Sequence, residues 1–234
     1  SPSCERPRLS LLGPITARTH GKALTDRKPY FTELLAFMTL RRRHGVTRDE
    51  ICDAFGIEAG VARNYVKIIR NWLGTNPATG EPHLPNANKA PAAQVRGINV
   101  YQVDDGLLVD LDLFKRLRVR GQARGGTEGQ RDLITALELV TGRPFDQQRQ
   151  GGWSWLFEGE RHDEYMTVAI ADVAFTVATY YLEKGDLQHA RAAAELAVLA
   201  APYEEATRLC LVCVTEAEGD HREAERILRE EVCN

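Results

Sequence analysis

The sequence predicts a mainly α-helical fold with a small β component: a winged helix-turn-helix over residues 1–104, followed by a tetratricopeptide-like α-helical repeat domain over 105–234. Three observations predict it. Thr47-Arg48-Asp49-Glu50 is a capping box, in which the Thr hydroxyl and the Glu carboxylate satisfy free amide donors at a helix start. The stretch from about Glu58 to Leu73 separates cationic and amide side chains from apolar ones at 100° per residue. Gly185-Asp186 recurs as Gly219-Asp220, and Ala190 as Ala224, both 34 residues apart, which is the tetratricopeptide period.

The elements of the first half follow in order. Leu9 to Ile15 is a short apolar run closed by Gly13-Pro14 and reads as a strand. A first helix runs from about Pro29 to Arg43, with Pro29 at a first helical position and Phe31, Leu34, Leu35, Phe37 and Met38 as its apolar face. Arg41, Arg42 and Arg43 complement the C-terminal dipole before Gly45. The capping box opens a short second helix with Ile51, Ala54 and Phe55 inward and Gly56 as its stop. In the third helix Val61, Ala62, Val66, Ile68, Ile69, Trp72 and Leu73 fall on the inner side. Turn-rich Asn76 to Gly80 and Asn86 to Ala93 flank His83-Leu84, and Ile98 to Val103 alternates like a strand, so a wing hairpin is expected here.

In the second half the expected helices are Asp112 to Gly121, Thr127 to Val140, Met166 to Lys184, Leu187 to Ala200, Glu204 to Glu218 and His221 to Val232. His162-Asp163-Glu164 reads as a polar helix start. Such helix pairs build a concave surface for a protein or peptide, which Trp153 and Trp155, beside Phe157, are placed to line; packing as core is the competing role for these rings.

Charge divides at Gly97. Residues 1–97 carry 15 Lys+Arg against 8 Asp+Glu, a net of +7, whereas residues 98–234 carry 15 against 25, a net of −10. A local positive field, and not a positive total, is what phosphate neutralisation requires. On the third helix Arg63, Asn64, Lys67, Arg70 and Asn71 share one arc, and Arg and Asn are the side chains that make bidentate contacts to guanine and adenine edges. Arg48, Lys28, Arg27, Lys89 and Arg96 are candidates for phosphate contacts, together with Arg41 to Arg43. Double-stranded DNA is therefore the expected partner, and a merely solvated cationic face is the alternative.

No G-x-S-x-G, P-loop, H-E-x-x-H or dinucleotide fingerprint is present, which argues against an enzyme, a cofactor and a metal. Five cysteines without dense even spacing fit a reducing cytoplasm, and Cys210 and Cys213 lie in an apolar helical pattern that suits core packing. No window approaches the roughly 18 consecutive apolar residues of a membrane helix. The start at Ser1-Pro2-Ser3, without Met or a signal-like apolar run, suggests a processed product or a piece of a longer chain.

The order of Leu12-Gly13-Pro14, Arg27-Lys28, Val46 to Ile51, Ala62-Arg63-Asn64 and Leu111 to Leu117 resembles the actinobacterial antibiotic-pathway regulator family, over essentially the whole chain. Its members join an OmpR-like winged helix to a bacterial transcriptional activator domain. Gly80 to Pro85, Thr141 to Phe145 and Trp153-Ser154-Trp155 are similar to the C-terminal part of large actinobacterial membrane proteins with a LysM segment and this activator domain. The resemblance implies DNA binding through the third helix and protein binding, to RNA polymerase among others, through the helical domain. The alternative that it implies is a cytoplasmic interaction scaffold of a larger membrane protein, with the winged helix not used on DNA. Two departures stand out: Ala54-Phe55 where the family often has Leu-Trp, and the Ala-, Asn- and Pro-rich stretch from Asn86 to Val95.

Overall fold

A computed structural model describes residues 6–232; the N-terminal stretch Ser1 to Glu5, and with it Cys4, and also Cys233 lie outside the described residues. The helices are α1 (Lys28–Leu40), α2 (Arg48–Phe55), α3 (Ala59–Leu73), α4 (Pro91–Arg96), α5 (Asp110–Arg124) and α6 (Gly126–Glu138). They continue with α7 (Ser154–Phe157), α8 (His162–Glu183), α9 (Leu187–Ala200), α10 (Glu205–Ala217) and α11 (His221–Ile227), which runs into a π-helical turn over Leu228–Val232. The strands are β1 (Arg8–Ser10), β2 (Thr16–Arg18) and β3 (Leu108–Val109), in the order β2-β1-β3, with β1 antiparallel to β2 and parallel to β3. The chain divides into two compact units, and each is discontinuous. The first gathers residues 6–10, Ile15–Val109 and Gln148–Glu160; the second gathers Leu11–Pro14, Asp110–Gln147 and residues 161–232.

In the first unit α1 is buried on nearly every side. Phe31 through Thr39 are all buried, including Glu33 at 1% exposure. An amphipathic helix was expected, and the difference has a definite cause: Gln148–Glu160 covers the face that the sequence leaves polar. Trp153 and Trp155 are 1% and 4% exposed, and Trp155 packs edge-on against Phe37 with ring centroids 5.2 Å apart. The Glu33 carboxylate accepts the Trp153 backbone N–H at 2.7 Å and the Trp155 indole N–H at 3.0 Å, and pairs with the Arg149 guanidinium. These two tryptophans are core residues of the first unit and do not line a groove for a partner.

The expected wing hairpin is replaced. Among the described residues, pairing in this region is limited to single bridges, Thr75 with Pro82 and Val46 with Tyr101, and Pro91–Arg96 forms α4. Pro91 near the helix start and Ala92-Ala93 favour a helix, and Gly97 closes it in the left-handed region at φ 68°. The carbonyls that a hairpin would pair are otherwise engaged, since Arg70 donates to Leu84 O at 2.6 Å and to Pro85 O at 3.2 Å. His83, 2% exposed, holds its Nδ1 2.7 Å from Asp104, which also accepts from Asn76 Nδ2 at 2.6 Å.

The strand expected over Leu9 to Ile15 ends at Ser10. Leu11 and Leu12 leave the sheet because the Asp110 carboxylate at the start of α5 accepts both of their N–H groups, at 2.8–3.0 Å. Leu11 O and Leu12 O then accept the N–H groups of Phe145 and Thr141, both at 2.8 Å. Burial raises the Asp110 pKa above the ordinary carboxylate value, and the backbone donors oppose that shift.

The second unit is built from helix pairs. α5 crosses α6 where Gly121 and Gly129 meet: a Cβ on Gly121 would lie 2.8 Å from Gly129 O, and one on Gly129 would lie 2.4 Å from Gly121 O. The period of 34 has a structural counterpart. Gly185 and Gly219 each end a helix in the left-handed region, at φ 71° and 86°. Asp186 and Asp220 then cap the next helix by accepting from His189 N at 3.2 Å and Glu223 N at 3.1 Å, and Ala190 and Ala224 are fully buried where the paired helices touch. α8 is the one described helix long and apolar enough to cross a membrane by length and composition. Here it buries Met166, Ile170, Val173, Ala174 and Val177 in the repeat. Cys210 is buried, with its thiol pushed up to about 11 by desolvation, whereas Cys213 is exposed and does not join the core as expected.

Candidate nucleic-acid interface

The helix-turn-helix is set by local chemistry. The Thr47 N–H donates to Glu50 Oε2 at 2.6 Å and the Glu50 N–H donates to Thr47 Oγ1 at 3.1 Å, which is the expected reciprocal cap of α2. α2 stops at Gly56, and the turn through Ile57 and Glu58 leads into α3. Ala62, Val66, Ile69, Trp72 and Leu73 are buried and fix the rotation of α3 about its axis.

That rotation leaves Arg63, Asn64, Lys67 and Asn71 exposed on one face. Among the described residues none of these four side chains has a hydrogen-bond or ion-pair partner, so cationic and amide groups stand ready for an external ligand. Gly60, one turn N-terminal, opens onto empty space, and Val61 at 37% exposure extends the face instead of packing inward as expected. The sequence pattern missed both residues, because periodicity alone does not show that this side of the N-terminal turn of α3 lies open.

The remaining candidates divide. Lys28 and Lys89 are exposed, Lys28 at the start of α1 and Lys89 in the turn closed by its N–H to Asn86 O. Arg70 does not join the free face: its bonds to Leu84 O and Pro85 O hold it against the chain, and burial lowers its pKa from the ordinary value. Arg96 is likewise spent, donating to His44 O at 3.0 Å and Gly45 O at 3.3 Å. Arg48 is exposed but turned onto its neighbour Asp49, at 2.9–3.0 Å, which offsets its charge and raises its pKa. Arg27, in the left-handed region at φ 51°, stacks its guanidinium 4.4 Å from the Tyr30 ring centroid and 5.2 Å from that of Tyr65, and donates to Tyr65 Oη at 2.5 Å. Of the arginine run after α1, Arg41 lies over Phe37, Arg42 donates to Leu107 O at 3.2 Å, and Arg43 is exposed.

The chain shares its fold with EmbR. The structure concerned is Mycobacterium tuberculosis EmbR in complex with a low affinity phosphopeptide, at a TM-score of 0.62 and 21% sequence identity, covering 97% of this chain and 61% of that chain. This chain therefore spans less than two thirds of the EmbR chain. No known family profile matches the sequence, and no curated protein does. The EmbR likeness extends through both units and supports the expected class, mainly α with a winged helix-turn-helix type of fold followed by helical repeats, although α4 stands here where the wing hairpin was expected.

Proposed function

We propose that the chain is a DNA-binding transcriptional regulator that seats α3 in the major groove and engages a protein partner through its helical unit. The observation that carries this reading is the unpartnered Arg63, Asn64, Lys67 and Asn71 face on the second helix of a helix-turn-helix, the helix that enters the major groove in such motifs. Arg63 and Asn64 suit base edges, Lys67 suits phosphates, and Asn71 extends the contact toward the C-terminal end of α3. The resemblance to the antibiotic-pathway regulators and the fold shared with EmbR support the same role and a cytoplasmic location. The first unit would be the OmpR-like DNA-binding domain and the second the activator domain, with RNA polymerase as the partner that the resemblance implies.

Selection from random duplex DNA at about 50 mM salt tests this, because low salt favours every phosphate contact. A recovered consensus whose affinity falls by about 1–3 kcal/mol on Arg63→Ala, with a shallower salt slope on Lys67→Ala, is the expected result. Absence of measurable binding to any duplex overturns it. One observation favours the second reading, a protein-interaction scaffold of a larger membrane protein with the winged helix off DNA. In place of a wing, α4 and the residue after its cap expose Val95 at 88% and Ile98 at 47%. Capture of a partner that survives Lys67→Glu but fails on Val95→Asp would support that alternative.

A further inference from the structure

The first unit carries a second cationic feature that duplex binding does not use. β1 and β2 pair so that Arg8 lies directly opposite Arg18. Like charges placed across a strand pair repel and destabilise it, so the arrangement has an electrostatic cost in the free protein. Both arginines are exposed, and among the described residues neither has a carboxylate partner. They border a cavity of about 410 Å³ whose other walls include Lys28, His20 and Trp72, and the residues lining it include no Asp or Glu. Arg6 also reaches the rim, but its guanidinium is committed to the carbonyls of Gly106, at 3.0 Å, and Asp105. The loop that supplies His20 is pinned to the end of α3, where Gly21 N donates to Trp72 O at 3.0 Å and Lys22 N to Asn71 O at 2.8 Å. A Cβ on Gly21 would lie 2.0 Å from Asn71 O, so this wall is built by close backbone contact.

The position of Trp72 separates this cavity from the DNA-facing side. Arg63 and Trp72 are nine residues apart on α3, which at about 100° per residue places them on opposite sides of the helix. A duplex seated on Arg63 and Lys67 leaves the cavity behind it open. The volume falls in the range of small-molecule sites, roughly 300–1,000 Å³. The guanidinium fork matches phosphate oxygens in pairs.

We propose that this cavity binds a small organic phosphate of at least two negative charges, held by Arg8 and Arg18 with Lys28, as an effector distinct from the duplex. The dianion would sit between two guanidinium groups that otherwise repel each other. Binding therefore draws together β1, β2 and the start of α1, the helix that packs beneath the helix-turn-helix.

The test titrates the whole chain with inorganic pyrophosphate and, separately, with ATP in magnesium-free buffer at low salt, read by calorimetry and by thermal melting. Saturable binding that raises the melting temperature is expected. Arg8→Gln and Arg18→Gln should each weaken it by about tenfold, one lost charge-assisted contact. Without ligand these variants should melt no lower than the parent, because the opposed charges are gone. Lys67→Gln should leave binding unchanged. The proposal is overturned if neither probe saturates, or if Lys67→Gln weakens binding as much as Arg18→Gln, which would mean general attraction of polyanions. Stoichiometric displacement of pyrophosphate by duplex DNA would assign the site to the nucleic-acid backbone and would also overturn it.

Discussion

The buried Glu33 carboxylate on α1 accepts the Trp155 indole N–H at 3.0 Å, and this contact ties two stretches of chain 122 residues apart into one unit. The same carboxylate holds the Trp153 amide and pairs with Arg149, so three donors from Gln148–Glu160 converge on a side chain 2% exposed. Removing it leaves buried donors unsatisfied and breaks a largely buried ion pair. Glu33→Ala should cost about 3–5 kcal/mol in denaturant unfolding, with a red-shifted tryptophan emission. Glu33→Gln, which keeps one acceptor, should cost clearly less. A loss under about 1 kcal/mol for Glu33→Ala would contradict the role assigned to this carboxylate.

Arg70 and Lys67 lie on adjacent turns of α3 and should respond in opposite ways. Lys67 is exposed and free, so Lys67→Ala should lower duplex affinity and leave the melting temperature within the spread of surface substitutions, about ±0.5 kcal/mol. Arg70 bridges to Leu84 O and Pro85 O, so Arg70→Ala should destabilise the fold by about 1–3 kcal/mol through two lost carbonyl partners. Equal stability of the two variants in urea melts would refute the distinction.

The repeat turns supply a backbone test. Gly219 sits at φ 86° with open space around the site of a Cβ, so Gly219→Ala carries conformational strain without a clash. The expected cost is about 1–2 kcal/mol, and Gly219→Asn should recover part of it because Asn tolerates the left-handed region. Asp220→Ala, which removes the cap on Glu223 N, should cost about 0.5–2 kcal/mol. Circular dichroism melts of the three variants measure these effects directly.

Acid should weaken the α5–α6 pair through Asp132. Arg120 holds this carboxylate by bonds of 2.8 and 2.5 Å, and these hydrogen bonds keep its pKa below the ordinary value. A carboxyl pKa depressed on folding contributes stability that is fully present above the unfolded pKa, about 3.9, and is lost as pH falls through the folded value. Stability should therefore decline as pH drops below about 4, and Asp132→Asn should flatten that decline. A variant with the same acid slope as the parent would exclude this pair as a contributor.

What the sequence determined by itself is whatever rests on interactions a few residues long. The capping box of Thr47 and Glu50, the buried stripe of α3, and the recurring Gly-Asp turns at 185 and 219 were all legible, because hydroxyl, carboxylate and left-handed glycine act within one helical turn of their partners. The free face of Arg63, Asn64, Lys67 and Asn71 was legible for the same reason, since one helix period sets it. Contacts between distant residues were decided only by the tertiary structure. It turned Trp153 and Trp155 into core by presenting Glu33, removed Arg70 from the free face by placing two carbonyls 14 and 15 residues away against it, and set a helix where a hairpin was expected. Periodicity shows which side of an element is apolar, but not which distant segment comes to cover the side that is not.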